Sequence, residues 1–330
     1  LNAVSLHPAP ALSFELPTPD ISAWRVGNTG VEGVWRFDSG TAGRHVMITA
    51  LVHGNELCGA WALKGLLEAG LRPQHGSLTL AFCNLAAFDR FDPAHHDAAR
   101  FVDEDLNRQW MPERLADGQT FTQERRRAAA LRPFVEAADW LLDLHSMHEP
   151  CAPLSLTGPA PRNVELARQM GTPEHIVIDA GHKDGVRMRD FGRFGAAEDN
   201  GTRSLLIECG FHGELASRTV AHDQCVRFLV AAGTLDEAAA QRLLPGWRQP
   251  DAPRQWALEV TGPVVAKSAN FRFVAPYVGL EVIANAGTVI GDNDGEPVTT
   301  PYDDCVLVMP STRQARAGVT VVRFATRRLL

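Results

Sequence analysis

The chain has 330 residues, of which 45% are hydrophobic, and 39 acidic residues against 32 basic ones give a formal net charge of -7. This length allows one substantial core plus a smaller domain, and the apolar content excludes a disordered chain. The negative balance argues against a general affinity for nucleic acid or an anionic membrane surface, while local arginines still allow a single anionic substrate.

Six dispersed cysteines with no C-x-x-C pair signal neither a disulfide scaffold nor a thiolate zinc site. The N-terminus lacks a basic and a long apolar segment, and no stretch approaches the roughly 20 apolar residues that span a bilayer. Cytoplasm is the default expectation.

Taken in chain order, residues from Trp35 to Ala69 read as strand, turn and helix, with the apolar run His45 to Val52 entering a helix-like stretch from Leu57 to Ala69. Ser77 to Cys83 reads as the next strand. The charged stretch from Asp89 to Gln119 has little periodicity and reads as a long functional loop. Thr122 to Ala138 has helical character, partly interrupted by Pro133, and feeds a strand from Trp140 to Leu144. A helix over Arg162 to Gln169 and a short strand over Glu174 to Asp179 follow. The glycine-rich interval Gly181 to Gly201 reads as a loop, Ser204 to Ile207 as a strand and Ser217 to Ala232 as a closing helix. After Pro245, glycines and prolines separate short β-prone runs such as Trp256 to Val260 and Val319 to Phe324. The expected division is a larger α/β domain over residues 1–245 and a β-rich C-terminal domain over 246–330.

Three of these apolar strands end in polar residues, which is where an open α/β sheet places its chemistry. His53-Gly54-Asn55-Glu56 follows the first, His145 lies at the end of the second and Glu208 at the end of the third. His53, Glu56 and His145 supply two imidazoles and a carboxylate, a ligand set suited to catalytic zinc with a position left open. Taken singly, they also read as a turn residue, a helix N-terminal charge and a strand-end histidine. The His-x-x-Glu spacing is weak alone and differs from the two-histidine H-E-x-x-H motif.

Hydrolysis at a metal needs a neighbouring carboxylate that does not itself ligate, and Glu208 is the candidate general base; a charge paired to Arg203 is the alternative. Asp143, two residues before His145, shares its side of a regular strand and is suited to orienting a neighbouring group; a backbone hydrogen-bonding role is the equal alternative. The loop segment Arg100 to Arg108 carries two arginines that divide naturally between polarising a carbonyl and gripping a carboxylate, with Asn107 adding an amide donor. A salt-bridged surface loop is the alternative.

The motifs His53-Gly54-Asn55-Glu56, Asp105-Leu106-Asn107-Arg108, Asp143-Leu144-His145 and Ile207-Glu208-Cys209-Gly210, in this order, resemble those of the succinylglutamate desuccinylase and aspartoacylase family, related to zinc carboxypeptidases. The resemblance implies an α/β fold with a zinc-carboxypeptidase-like mixed central sheet flanked by helices and a smaller β-rich C-terminal domain. It implies one Zn2+ per chain on His53, Glu56 and His145, with Glu208 activating water. It further implies that Arg100 polarises the scissile carbonyl while Asn107 and Arg108 hold a substrate carboxylate. The segment Gly181 to Asp190 offers no unambiguous match to the acyl-carboxylate arginine of aspartoacylase. Phe211-His212-Gly213-Glu214 stands where that family has Pro-Gln-Pro, and neither Tyr277 nor Tyr302 has a secure counterpart to its substrate-contacting tyrosine.

The expected activity is hydrolysis of a small N-acyl amino acid or related carboxylate-bearing amide to a carboxylate and an amine. A zinc carboxypeptidase acting on peptides and a non-catalytic metal-binding module are the alternatives. The expected partner is the small-molecule substrate, with no nucleic acid and no membrane, and a homo-oligomer is compatible with the sequence. The β-rich tail is expected either to cover the catalytic mouth or to mediate subunit contact.

Overall fold

In a computed structural model that describes residues 12–116 and 122–330, the apolar runs beginning at His45 and Ser77 become buried strands. The first elements are β1 (Val34–Asp38), β2 (His45–Ala50), helix α1 (Leu57–Glu68), β3 (Ser77–Phe82) and the single turn α2 (Leu85–Phe88). Every residue of β3 is buried, as expected of a strand covered on both faces. Residues 89–116 are irregular as the sequence suggests, with short 3-10 turns at Pro93–Ala99 and Leu106–Arg108 and the short helix α3 (Pro112–Ala116), and the last three residues of the expected loop lie outside the described residues.

Helix α4 (Gln123–Ala137) runs without interruption through Pro133, contrary to the expected break. Pro133 lies on the exposed face, so water can satisfy the carbonyl that loses its helical donor. Thr122 caps the helix by accepting from the Arg125 N–H. Strand β4 (Trp140–Met147) is buried throughout and longer than expected, because His145, Ser146 and Met147 continue the extended backbone. Next come β5 (Leu154–Leu156), α5 (Pro161–Met170), β6 (His175–Ile178), β7 (Arg203–Phe211), α6 (Leu215–Ala231) and α7 (Glu237–Leu243). Sequence periodicity missed β5 and α7, both short.

The C-terminal segment contributes β8 (Trp256–Val265), β9 (Arg272–Phe273), β10 (Val282–Ile283), β11 (Val289–Asn293), β12 (Glu296–Thr299), β13 (Cys305–Val308) and β14 (Thr320–Leu329). Two sheets result. Eleven strands form one mixed sheet in the order β1-β3-β2-β4-β7-β5-β6-β8-β14-β13-β10, and β12-β11-β9 form a smaller one. Strands β3, β2, β4 and β7 are mutually parallel, β5 runs antiparallel to β7, and β6 pairs in parallel with β8.

Helices cover both faces of the parallel part. On one side Leu63, Leu66, Leu166, Phe228 and Leu229 from α1, α5 and α6 pack on Ile48, Leu142 and Ile207 of the sheet. On the other, Ala128, Leu131 and Val135 of α4 pack with Met47, Leu141 and Trp110. No helix among the described residues is long and apolar enough to cross a membrane.

Candidate metal centre and active site

The parallel register brings the strand ends together. In the pairing of β4 with β7, His145 lies opposite Glu208, and in that of β2 with β4, Thr49 lies opposite Asp143. Beyond β2 the chain turns sharply, with Leu51 at a φ of 56°, and delivers His53 and then Glu56 at the N-terminus of α1. Gly54 is required in this turn because a Cβ there would sit 2.4 Å from the backbone of Ala87 and Phe88 and 2.5 Å from the Ala99 carbonyl. Its N–H donates to the Arg100 carbonyl, which ties the turn to the long loop.

His53, Glu56 and His145 are buried, and their ligand atoms all lie within 4.8 Å of one another. The carboxylate of Glu56 bridges the two rings, with Oε1 2.7 Å from His53 Nδ1 and Oε2 2.8 Å from His145 Nδ1. Both remaining ring nitrogens meet carboxylates: His53 Nε2 is 2.9 Å from Asp105 Oδ1, and His145 Nε2 is 2.8 Å from Asp143 Oδ2. Asp143 is itself held by the Thr49 hydroxyl at 2.7 Å. Two Nδ1 atoms and a carboxylate that converge, with each opposite nitrogen backed by an acid, are the donor arrangement of a metal centre with its supporting hydrogen bonds. The residues fit a divalent cation.

The charges follow from this crowding. Burial pushes the Glu56 carboxyl up, but the charges of His53 and His145 outweigh it and hold the group well below the usual carboxylate range. Burial also opposes the charge on His145, yet Asp143 and Glu56 raise its pKa well above the ordinary histidine value. A cation placed between the rings takes over the role of that proton. Glu208 has the opposite environment: burial and then the charge of Glu56 push its carboxyl up to about 8. Its Oε2 is shut off from solvent and accepts no hydrogen bond from the described residues, although the side chain as a whole borders the cleft and is only half-buried.

His53, Glu56, Arg100, Asn107, Arg108, His145 and Glu208 line one cleft, which encloses about 910 Å³ including its open mouth, while Asp143 lies behind His145. Arg100 directs Nη1 at Glu56 Oε1, 3.4 Å away, and Nη2 at Asp105 Oδ2, 3.3 Å away. Asn107 is buried, and its Oδ1 accepts from the Met188 N–H at 2.9 Å, so its amide nitrogen is the atom available to a ligand. Arg108 is largely enclosed. Burial lowers its pKa to about 10, with Asp105 opposing and Arg187, Arg100 and Arg323 adding to the decrease.

Several lining residues escaped the sequence reading or carried no assigned role there. Arg187 and Arg323 both face Asp179, at 2.9 Å and 3.4 Å, and Arg323 also contacts His182 at 3.0 Å. Burial together with Arg108, Arg187 and Arg323 lowers the His182 pKa to about 2, so this ring is neutral. That end of the cleft has two guanidinium groups on one carboxylate, and Arg323 comes from β14. Gly279, Val308, Met309, Pro310 and Ser311 of the C-terminal segment also line the cleft, so that segment forms part of its wall.

Glu124 of α4 is wholly buried, and its carboxylate accepts from the backbone of Val102 at 2.6 Å, Asp103 at 3.0 Å and Glu104 at 3.2 Å. It anchors the loop that carries Arg100 and Arg108. The only sequence signal was an acid in the first turn of a helix, which usually reads as a dipole partner.

A sequence model of the succinylglutamate desuccinylase/aspartoacylase catalytic domain matches residues 42–224. A comparison with curated protein sequences gives no match. Among solved structures, the chain is similar to succinylglutamate desuccinylase from Vibrio parahaemolyticus, with 17% identity over 90% of this chain and 86% of that one and a TM-score of 0.61. It is likewise similar to an aspartoacylase family protein from Mesorhizobium loti, with 17% identity over 90% and 88% of the two chains and a TM-score of 0.61. The product-bound ectoine utilization protein EutE (DoeB) from Ruegeria pomeroyi aligns over 94% of this chain and 93% of its own, with 19% identity and a TM-score of 0.59. At these identities the structures establish a shared fold.

Proposed function

Because the chain belongs to the succinylglutamate desuccinylase/aspartoacylase family, we propose that its cleft hydrolyses the amide bond of a small N-acyl amino acid, or a related carboxylate-bearing amide, to a carboxylate and an amine. The observation that carries this reading is the convergence of the His53, Glu56 and His145 donors with the unpartnered Glu208 carboxylate in one cleft. A zinc ion held by those three residues, one per chain, would supply Lewis acidity to the scissile carbonyl and to the attacking water.

The roles of the remaining residues follow from position. Glu208, opposite His145 in the register, takes the proton of the attacking water and returns it to the departing nitrogen. Arg100, beside Glu56, donates to the carbonyl oxygen as negative charge develops on it. Arg108 and the amide nitrogen of Asn107 hold the substrate carboxylate and keep the reacting atoms aligned. Arg187 and Arg323 make that end of the cleft positive, which favours an anionic substrate.

The same reading divides the chain into a catalytic domain, residues 1–245, and a β-rich C-terminal domain, residues 246–330. No helix among the described residues follows Leu243, which supports this division, while β6 and β8 link the two parts by main-chain hydrogen bonds. Residues from β13, β14 and the loop between them narrow the cleft, which favours compact substrates over peptides. The test compares short N-acyl amino acids with blocked peptides that share the same terminal residue. The monomers should be the better substrates, and efficient peptide trimming with negligible cleavage of acylated monomers overturns the assignment in favour of a carboxypeptidase.

A further inference from the structure

Arg100 has three acceptors, and two of them already serve the candidate metal centre. Glu56 Oε1 faces His53, and Asp105 holds both His53 Nε2 and the Asn107 N–H. The third is His148 Nε2, 3.3 Å from Arg100 Nη1. Among the described residues, this contact alone ties the guanidinium to a group that neither belongs to the donor trio nor holds one of its members.

The surroundings of His148 define its protonation. Nε2 faces two donors, Arg100 Nη1 and Gln314 Nε2 at 3.4 Å, so it must present a lone pair. The hydrogen then sits on Nδ1, which lies 3.2 Å from Asp97 Oδ1 and 3.3 Å from His212 Nε2. His212 in turn places Nδ1 2.7 Å from the Ser146 hydroxyl, and the Ser146 N–H donates to Glu56 Oε2 at 3.2 Å. The two rings meet edge to face with centroids 4.8 Å apart. A single set of neutral tautomers satisfies this chain: His148 donates to Asp97 and accepts from Arg100, while His212 donates to Ser146. Burial lowers the His148 pKa, with the Asp97 hydrogen bond opposing and the Arg100 charge assisting, so the neutral ring is favoured. The C-terminal segment braces the same point, since Glu149 pairs with Arg313 at 2.7 Å and accepts from Ser311 at 2.9 Å.

We propose that His148 is the positioning residue for Arg100, holding the guanidinium in its carbonyl-facing pose through a neutral Nε2 acceptor that Asp97, His212 and Gln314 orient. The inference rests on the role of Arg100 given above. A guanidinium without this tether swings between Glu56 and Asp105, and misplacement on the scale of 1 Å costs on the order of 100-fold in rate.

The test is a double-mutant cycle on the zinc-loaded full chain with Arg100→Lys, His148→Leu and their combination, plus His148→Gln as the conservative variant. His148→Leu should lower kcat on the order of 10- to 100-fold with KM and zinc content near those of the parent. His148→Gln, whose amide oxygen is also an acceptor, should recover most of the loss. Adding His148→Leu to Arg100→Lys should cost little more, because residues acting as a unit are not additive. Long-range 1H–15N spectra of the parent should show His148 protonated on Nδ1 with Nε2 bare, and Arg100→Lys should shift that Nε2 resonance. A protonated Nε2, equal losses in the Leu and Gln variants, or losses that multiply in the double variant each overturn the positioning role. Unimpaired turnover of Arg100→Lys instead overturns the reading of Arg100, and full activity of His148→Leu beside an impaired Arg100→Lys overturns the tether alone.

Discussion

At Glu208 a single carboxylate stands between two demands: it must lie close to the donor trio and yet remain unligated. The pairing of β4 with β7 meets both by setting Glu208 beside His145 while Glu56 occupies both Nδ1 atoms. Glu208→Gln should therefore keep the fold and the metal and lower turnover by at least about 100-fold, as kinetics at matched zinc occupancy will show. His145→Ala, by contrast, should lose most of the metal on elemental analysis. One step further out, Asp143→Ala should weaken zinc affinity by about 10- to 100-fold in chelator competition, because it removes the acceptor of His145 Nε2. Asp97 gives a pH-dependent counterpart. The hydrogen bond from His148 holds its carboxyl down to about 2, with burial opposing. Its contribution to stability is complete above the ordinary carboxylate range, about 4, and is lost as pH falls through about 2. The difference in unfolding free energy between the parent and Asp97→Asn should be constant near neutrality, shrink as pH falls below about 4 and vanish below about pH 2 in denaturant titrations.

At the level of elements, the loop from Arg100 to Arg108 depends on α4. Three backbone donors end on the Glu124 carboxylate, so Glu124→Gln, which turns donors toward donors, should cost on the order of 2 to 4 kcal/mol in chemical denaturation and raise KM. Strand β14 reaches the cleft through Arg323. Replacing it by Met should raise KM for carboxylate-bearing substrates about tenfold while leaving matched amides without the acid unchanged, which paired kinetics can check. The sequence displayed these elements unevenly. Strands β2, β3, β4 and β7 were legible because burial on both faces demands unbroken apolar runs, and the residues that end those runs stood out for that reason. Glu124, Arg187 and Arg323 were not legible: their roles depend on contacts between distant segments, and an acid in a helix or an arginine in a strand has no local pattern that reveals a buried partner. Strands β9 and β10 fall within the β-prone runs 270–274 and 279–283, whereas β11 and β12 did not register, because four or five residues carrying Gly291, Asp292, Asn293 and Pro297 leave too little apolar alternation.

Across the whole molecule, the main sheet does not stop where the composition changes. Met147, Leu154, Leu156, Val177 and Leu206 pack with Leu258, Val306, Val308 and Ala325 in one buried cluster that draws on both sides of residue 245. Ending the chain at 245 would expose the first group to water, and fully burying each such side chain is worth about 1.5 to 3 kcal/mol. The shortened protein should fail to give a cooperative thermal transition, and its circular dichroism melting curve will reveal this.

That shared cluster also limits how such a protein can be recombined. Grafting a tail from a relative onto this catalytic part would have to satisfy the hydrogen-bonding edge of β6, refill the seam around Val177 and Leu206, and return both a guanidinium to the position of Arg323 and an amide to that of Gln314. Substrate preference and foldability are thus written into the same strands, so a chimera that changes one inherits a constraint from the other.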